Sequence, residues 1–162
     1  MNYPKIEPIP IKTKGKPWYQ KIRIWLLETR KWKITEDYEL YIPWLKITLK
    51  IPKGFITDGA SIPKIFWTLL SPTGILLIPG LFHDFGYKYN CYMTSDNKIV
   101  NKNAGKAYFD KNFRKMGVWV NDISSIDKIA WFALKIGGFG PWYNNRKEDK
   151  ESMKELEIFL KM

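Results

Sequence analysis

Residues 54–89 constrain the fold most. The stretch GFITDGASIPKIFWTLLSPTGILLIPGLFHDFGYKY holds the longest apolar runs, the sharpest turn signal, Asp58-Gly59, and the only histidine, His83. Gly59 can take the positive φ of a tight turn, so 53–60 is expected to be a loop. Ser61 then fits a helix N-cap, and Pro63 falls in the first turn, where a missing N–H does no harm. A helix is expected over 62–70, ended by Ser71-Pro72-Thr73-Gly74. A second, buried helix is expected over 75–90. Pro79 belongs at or near its start, because proline in a helix interior costs about 3 kcal/mol.

The chain before this stretch reads as extended and basic. Pro4, Pro8, Pro10 and Pro17 recur among Lys and Ile, and proline cannot donate to an inner strand. Residues 1–20 are therefore expected to form an extended arm. Residues 21–52 read as strands, with Ile22, Ile24 and Leu26 on one face of the first. In the last, Leu45, Ile47, Leu49 and Ile51 alternate with Lys46, Thr48 and Lys50, the period of a half-buried antiparallel strand. Residues 35–38, TEDY, are expected to connect a hairpin.

After the central stretch, 91–102 reads as a polar loop and 103–116 as a third helix with Gly117 at its C-terminus. Asn121 or Asp122 is expected to cap a fourth helix over 123–137, with Ile126, Ile129, Ala130, Ala133 and Ile136 on one side. Residues 139–143 read as an aromatic turn. The last segment, from 145 on, reads as a mixed-charge helix with Met153, Leu156 and Leu160 as its apolar stripe. The expected architecture is α+β, a small N-terminal antiparallel sheet packed on a C-terminal bundle of four to five helices. All 162 residues are expected to form one domain, with 61–162 mainly helical.

Composition bounds the function. An aromatic fraction of 16% argues for a packed core over disorder. A single cysteine, Cys91, excludes an intrachain disulfide. The N-terminus lacks an apolar core of signal-peptide length, which gives an expected location in a host cytoplasm or a virion. No apolar stretch approaches the roughly 20 residues that span a bilayer. The net charge of +11 attracts anionic lipid, nucleic acid and acidic proteins without choosing among them. No zinc-finger spacing or recognition motif points to specific nucleic-acid binding.

The chemistry concentrates at His83 and Asp84. Helix neighbours point about 100° apart, so Asp84 is a poor orienting partner for the imidazole. Asp110 is the candidate instead, if the 103–116 helix packs antiparallel to that of His83. An imidazole oriented by Asp110 can act as general base on water. Asp84 and Asp58 can supply oxygens to Ca²⁺. One His and one Cys leave no conventional zinc site, and no phosphate-binding loop, dinucleotide fingerprint or flavin motif is present. Each residue also has a structural reading. His83 can bond a backbone carbonyl, Ser61 can be a cap instead of the nucleophile of a Ser61–His83–Asp110 triad, since ASIP is not the G-x-S-x-G elbow, Asp58 can be only a turn residue, and Tyr87 only core.

Two resemblances follow from these residues. Phe55-Ile56-Thr57-Asp58-Gly59-Ala60-Ser61-Ile62-Pro63, Trp67, His83-Asp84-Phe85-Gly86-Tyr87, Gly117-Val118 and Trp131-Phe132-Ala133 through Gly137-Gly138 resemble the pattern of a family of short uncharacterised bacteriophage and prophage proteins. It spans roughly residues 50–142 and implies a phage or prophage origin without an activity. The segment HDFGY also resembles the H-D-x-x-Y of bacterial phospholipases A2. That resemblance implies His83 as the base on water, Asp84 as a calcium ligand and Asp110 as the residue orienting His83. The disulfide framework and glycine-rich calcium loop of those enzymes are absent. Gly105-Lys106 stands where the phage family carries Ala-Asp, so Asp110, one turn on, would have to substitute. Lys106 near His83 would disfavour an imidazolium.

Two readings stay open. One is a calcium-dependent esterase or phospholipase-like hydrolase whose basic surface meets anionic lipid or an envelope component. The other is a non-catalytic virion component, or an effector that binds a host protein through its basic, proline-rich arm. Nonspecific nucleic-acid binding would show as steep salt dependence.

Overall fold

The computed structural model describes residues 2–27, 31–57, 74, 76–122 and 139–162. The fold is α+β. Strand β1 (Ile6–Pro8) is followed by helix α1 (Trp18–Leu27), β2 (Trp32–Ile34), β3 (Tyr38–Ile42), β4 (Ile47–Ile51) and β5 (Ile56–Thr57). Then come α2 (Leu77–Tyr89), β6 (Tyr92–Met93), β7 (Ile99–Val100), α3 (Lys106–Asn121), α4 (Phe139–Lys147) and α5 (Asp149–Leu160).

Three small antiparallel sheets replace the single expected one among the described residues: β1-β2-β5, β3-β4 and β6-β7. Pro8 sits in β1, an edge strand, where its missing N–H costs no ladder bond. The arm expected over 1–20 is thus part strand and part helix. In the β3-β4 hairpin Leu40 pairs with Leu49 and Tyr38 with Ile51, and these four side chains are buried together. Residues 43–46 close this hairpin, with Lys46 in the left-handed region. The 35–38 connection does not join a hairpin, because β2 pairs with β1 and β5 and not with β3.

Further corrections have physical reasons. Residues 21–27 are helix, started by Pro17, whose carbonyl accepts from the N–H groups of Gln20 and Lys21. Lys50 does not face solvent. It is buried, with its amine 3.2 Å from Asp37. The expected polar loop at 91–102 contains β6 and β7 and buries Cys91, Tyr92 and Met93. Gly117 lies inside α3, which ends at Asp122 with φ 54°. Residues 139–143 are helix, not turn. The helices expected over 62–70 and 123–137 lie outside the described residues.

Helix α2 is the centre. Leu77, Ile78, Leu81, Phe82, Phe85 and Tyr89 are all buried in it, and Phe82 meets Tyr38 while Phe85 meets Phe55 of the strand layer. Fully burying one such apolar side chain stabilises the fold by about 1.5–3 kcal/mol. Asn90 ends α2 in the left-handed conformation, its N–H bonded to the Gly86 carbonyl. Its side-chain oxygen accepts from the Gly105 N–H, and its carbonyl accepts from the Asn103 N–H. One residue therefore ties the end of α2 to the start of α3. Gly86 then meets Phe109 and His83 meets Phe113, so the two helices run antiparallel.

Candidate active site

The α2–α3 pairing brings His83 to Asp110. The imidazole Nε2 lies 2.9 Å from Asp110 Oδ1. The Tyr87 hydroxyl, one turn along α2, donates to the same oxygen at 2.5 Å. Lys106 Nζ, one turn back on α3, lies 2.6 Å from the other oxygen, Oδ2. The buried carboxylate thus has donors on both oxygens, as a buried charge requires. The imidazole is held between the rings of Tyr87, 3.9 Å between centroids, and Phe113, 5.3 Å.

An ionised carboxylate can only accept, so Nε2 carries the proton toward Asp110. That leaves Nδ1 as the nitrogen able to gain or lose one. Nδ1 lies 4.0 Å from Asp84 Oδ1, and the Thr57 hydroxyl donates to Asp84 Oδ2. His83 thus sits between two carboxylates, one fixed by α3 and one at the edge of the strand layer.

Burial by itself pulls the His83 pKa down. The hydrogen bonds and negative charges of Asp110 and Asp84 outweigh it and hold the pKa above its ordinary value. For Asp110 burial pushes upward, but His83, Lys106 and Tyr87 outweigh it and hold the carboxyl below the usual range. Burial and the bond to Asp110 both push the Tyr87 phenol up, so it stays a neutral donor.

A cleft of about 350 Å³ opens beside this cluster, lined by Thr57, Asp84, Tyr87, Lys88 and Glu148 among others. His83 lies behind Asp84 and Tyr87 and is 3% exposed. A larger groove of about 940 Å³ lies elsewhere, along Lys111, Arg114, Lys115 and Trp119 of α3 and Trp44. It holds no histidine and so no base of this kind.

Of the residues singled out in the sequence, His83, Asp84, Tyr87, Lys106 and Asp110 come together here. Asp58 and Ser61 lie outside the described residues. Asp110, and not residue 106, meets the imidazole, and Lys106 pairs with the other Asp110 oxygen. Among the described residues no three His, Cys, Asp or Glu side chains gather as a metal group. Asp58, beside Thr57 in the chain, is the further oxygen donor that the sequence offers.

Four further contributors carry a weaker sequence signal or none. Thr57 stands inside the F-x-T-D-G motif, next to Asp58. Gly86 is a glycine in an apolar helix, a sign of close approach. A Cβ there would meet the Phe109 ring at 2.2 Å. Arg146 on α4 donates to the Tyr87 and Lys88 carbonyls, at 2.9 and 2.7 Å, where a cation suits the C-terminal end of α2. The neighbouring Trp142 packs on Tyr87, 5.2 Å between centroids. Nothing local in the sequence marks that long-range contact.

Residues 32–134 match a family described as a protein of unknown function. No curated protein and no solved structure matches the chain. Among the described residues no helix is long and apolar enough to cross a membrane.

Proposed function

The chain belongs to the DUF1353 family of proteins of unknown function, and from its site we propose a hydrolase, of phage or prophage origin, that uses His83 as general base. The observation that carries this reading is the bond from Nε2 to Asp110, which leaves Nδ1 as the basic nitrogen. In ester cleavage Nδ1 takes a proton from water as the water oxygen adds to the carbonyl carbon. The imidazolium then returns that proton to the leaving alkoxide, whose bond to carbon breaks. Asp110 stays ionised throughout, held by Lys106 and Tyr87, and fixes the tautomer as in other His–Asp pairs.

Esters of lipids are the substrate class suggested by the phospholipase A2-like motif and the basic charge. Asp84, with Asp58, is the pair we assign to calcium. Hydrolysis of phospholipid and simple ester substrates by the wild type, with loss in His83→Gln, is the test. Equal rates in both would end the hydrolase reading. A second reading rests on the depth of His83 behind Asp84 and Tyr87. The cluster is then a structural ion network in a virion component or host-binding effector, and partner capture survives His83→Gln.

A further inference from the structure

We propose that α1 is an interfacial helix that docks the protein on an anionic lipid bilayer. The proposal does not depend on turnover at His83. Of residues 18–24 in α1, only Ile24 is buried. Trp18, Tyr19 and Ile22 are 74%, 58% and 47% exposed. At 100° per residue these three share one arc of the helix. Ile24 falls on the opposite side and is buried, while the arc is exposed.

Charge completes the pattern. Lys21 and Arg23 are exposed and flank the arc on its two sides. Lys12, Lys14 and Lys16 are exposed just before the helix. No Asp or Glu occurs between Pro8 and Leu27. Apolar and aromatic side chains on one arc, bordered by cations, suit the headgroup boundary of a bilayer. Rings and aliphatic groups enter the acyl edge there while the amines meet phosphate. The Trp18 and Tyr19 rings meet edge to face, 6.2 Å apart, and form one amphipathic unit of the kind that sits at that depth. A soluble partner made only of acidic side chains would leave the rings unused.

The test is flotation of the full chain with phosphatidylglycerol/phosphatidylcholine vesicles, with pure phosphatidylcholine vesicles, and with a single-stranded oligonucleotide as competitor. The expected result is binding to the anionic vesicles, at least tenfold weaker on pure phosphatidylcholine and at about 0.5 M salt, where charges are screened within a few ångströms. Trp18→Ser/Ile22→Ser and Lys14→Gln/Lys16→Gln/Lys21→Gln should each weaken it at least tenfold. Ile158→Ser, which removes an exposed apolar side chain on α5, should bind as the wild type does. No vesicle binding, or binding as strong as the wild type's by either of the two multiple variants, overturns the proposal. So does full displacement by the oligonucleotide, which assigns the surface to nucleic acid. His83→Gln should float unchanged, which separates this result from the test of hydrolysis.

Discussion

His83 Nε2 and Asp110 Oδ1 lie 2.9 Å apart across two antiparallel helices, although 27 residues separate them in the chain. The bond exists because Asn90 fastens the turn between the helices and Gly86 lets them approach. Asp110 has no other imidazole to serve, since the chain holds one histidine. Asp110→Asn removes the charge that fixes the tautomer and leaves Lys106 without its carboxylate. The expected cost is about 3–5 kcal/mol, as for other broken buried pairs, read from urea unfolding. Any ester hydrolysis should fall by roughly 10²–10⁴-fold, the usual range for a disabled acid–base group.

Stability and activity should respond to pH in opposite senses on the alkaline side. The folded chain holds the His83 proton more tightly than the ordinary value of about 6.5 implies. That contribution is complete below about pH 6.5 and is lost as pH rises through the raised pKa. Asp110 has a lowered pKa. Its contribution is complete above about pH 4 and is lost as pH falls through the lowered value. Unfolding free energy should therefore reach a plateau between these flanks. A base must be neutral, so hydrolysis should rise where the alkaline flank of stability falls. Urea midpoints across pH, with the imidazole followed by NMR, check this. His83→Gln should flatten the alkaline flank.

Gly86 should tolerate no side chain. A methyl group there would overlap the ring of Phe109, which is fully buried among Tyr92, Tyr108 and Trp142 and has little room to move. Gly86→Ala should destabilise by about 1–3 kcal/mol, the usual cost of overpacking. Gly86→Ala/Phe109→Leu should recover part of it. Denaturant unfolding of the two variants checks both statements.

Arg146 holds the end of α2. Arg146→Met removes two donors from the Tyr87 and Lys88 carbonyls and the ion pair to Asp149 at 3.1 Å. The expected loss is about 1–3 kcal/mol, because carbonyls near the helix end lose a charged partner. Amide exchange should quicken in the last turn of α2 before it does in the β3-β4 hairpin.

Much of the site was legible because it rests on simple periodicities. The rule that helix neighbours diverge excluded Asp84 as the orienting residue, and the single loop joining the two helices favoured antiparallel packing. Both rules pointed to Asp110. Legibility failed where tertiary contacts overrode local pattern. Ile22, Ile24 and Leu26 alternate like a strand, yet Pro17 starts a helix that buries Ile24 and exposes Ile22. Lys50 alternates as a surface residue, yet Asp37, just before β3, compensates its burial. Strands β6 and β7 pair through two residues each, too few to leave a period. The Arg146 contact links positions 59 residues apart, and no sequence window contains both partners.

The most direct test of the central claim is the rate of ester hydrolysis by wild type and His83→Gln from about pH 5 to about pH 9, with the imidazole titrated by NMR over the same range. The expected result is turnover that rises with one pKa, above the ordinary histidine value and equal to the NMR value, and that disappears in His83→Gln while the fold is retained. Turnover that persists in the folded variant, or a rate profile that ignores the imidazole titration, would contradict His83 as the base.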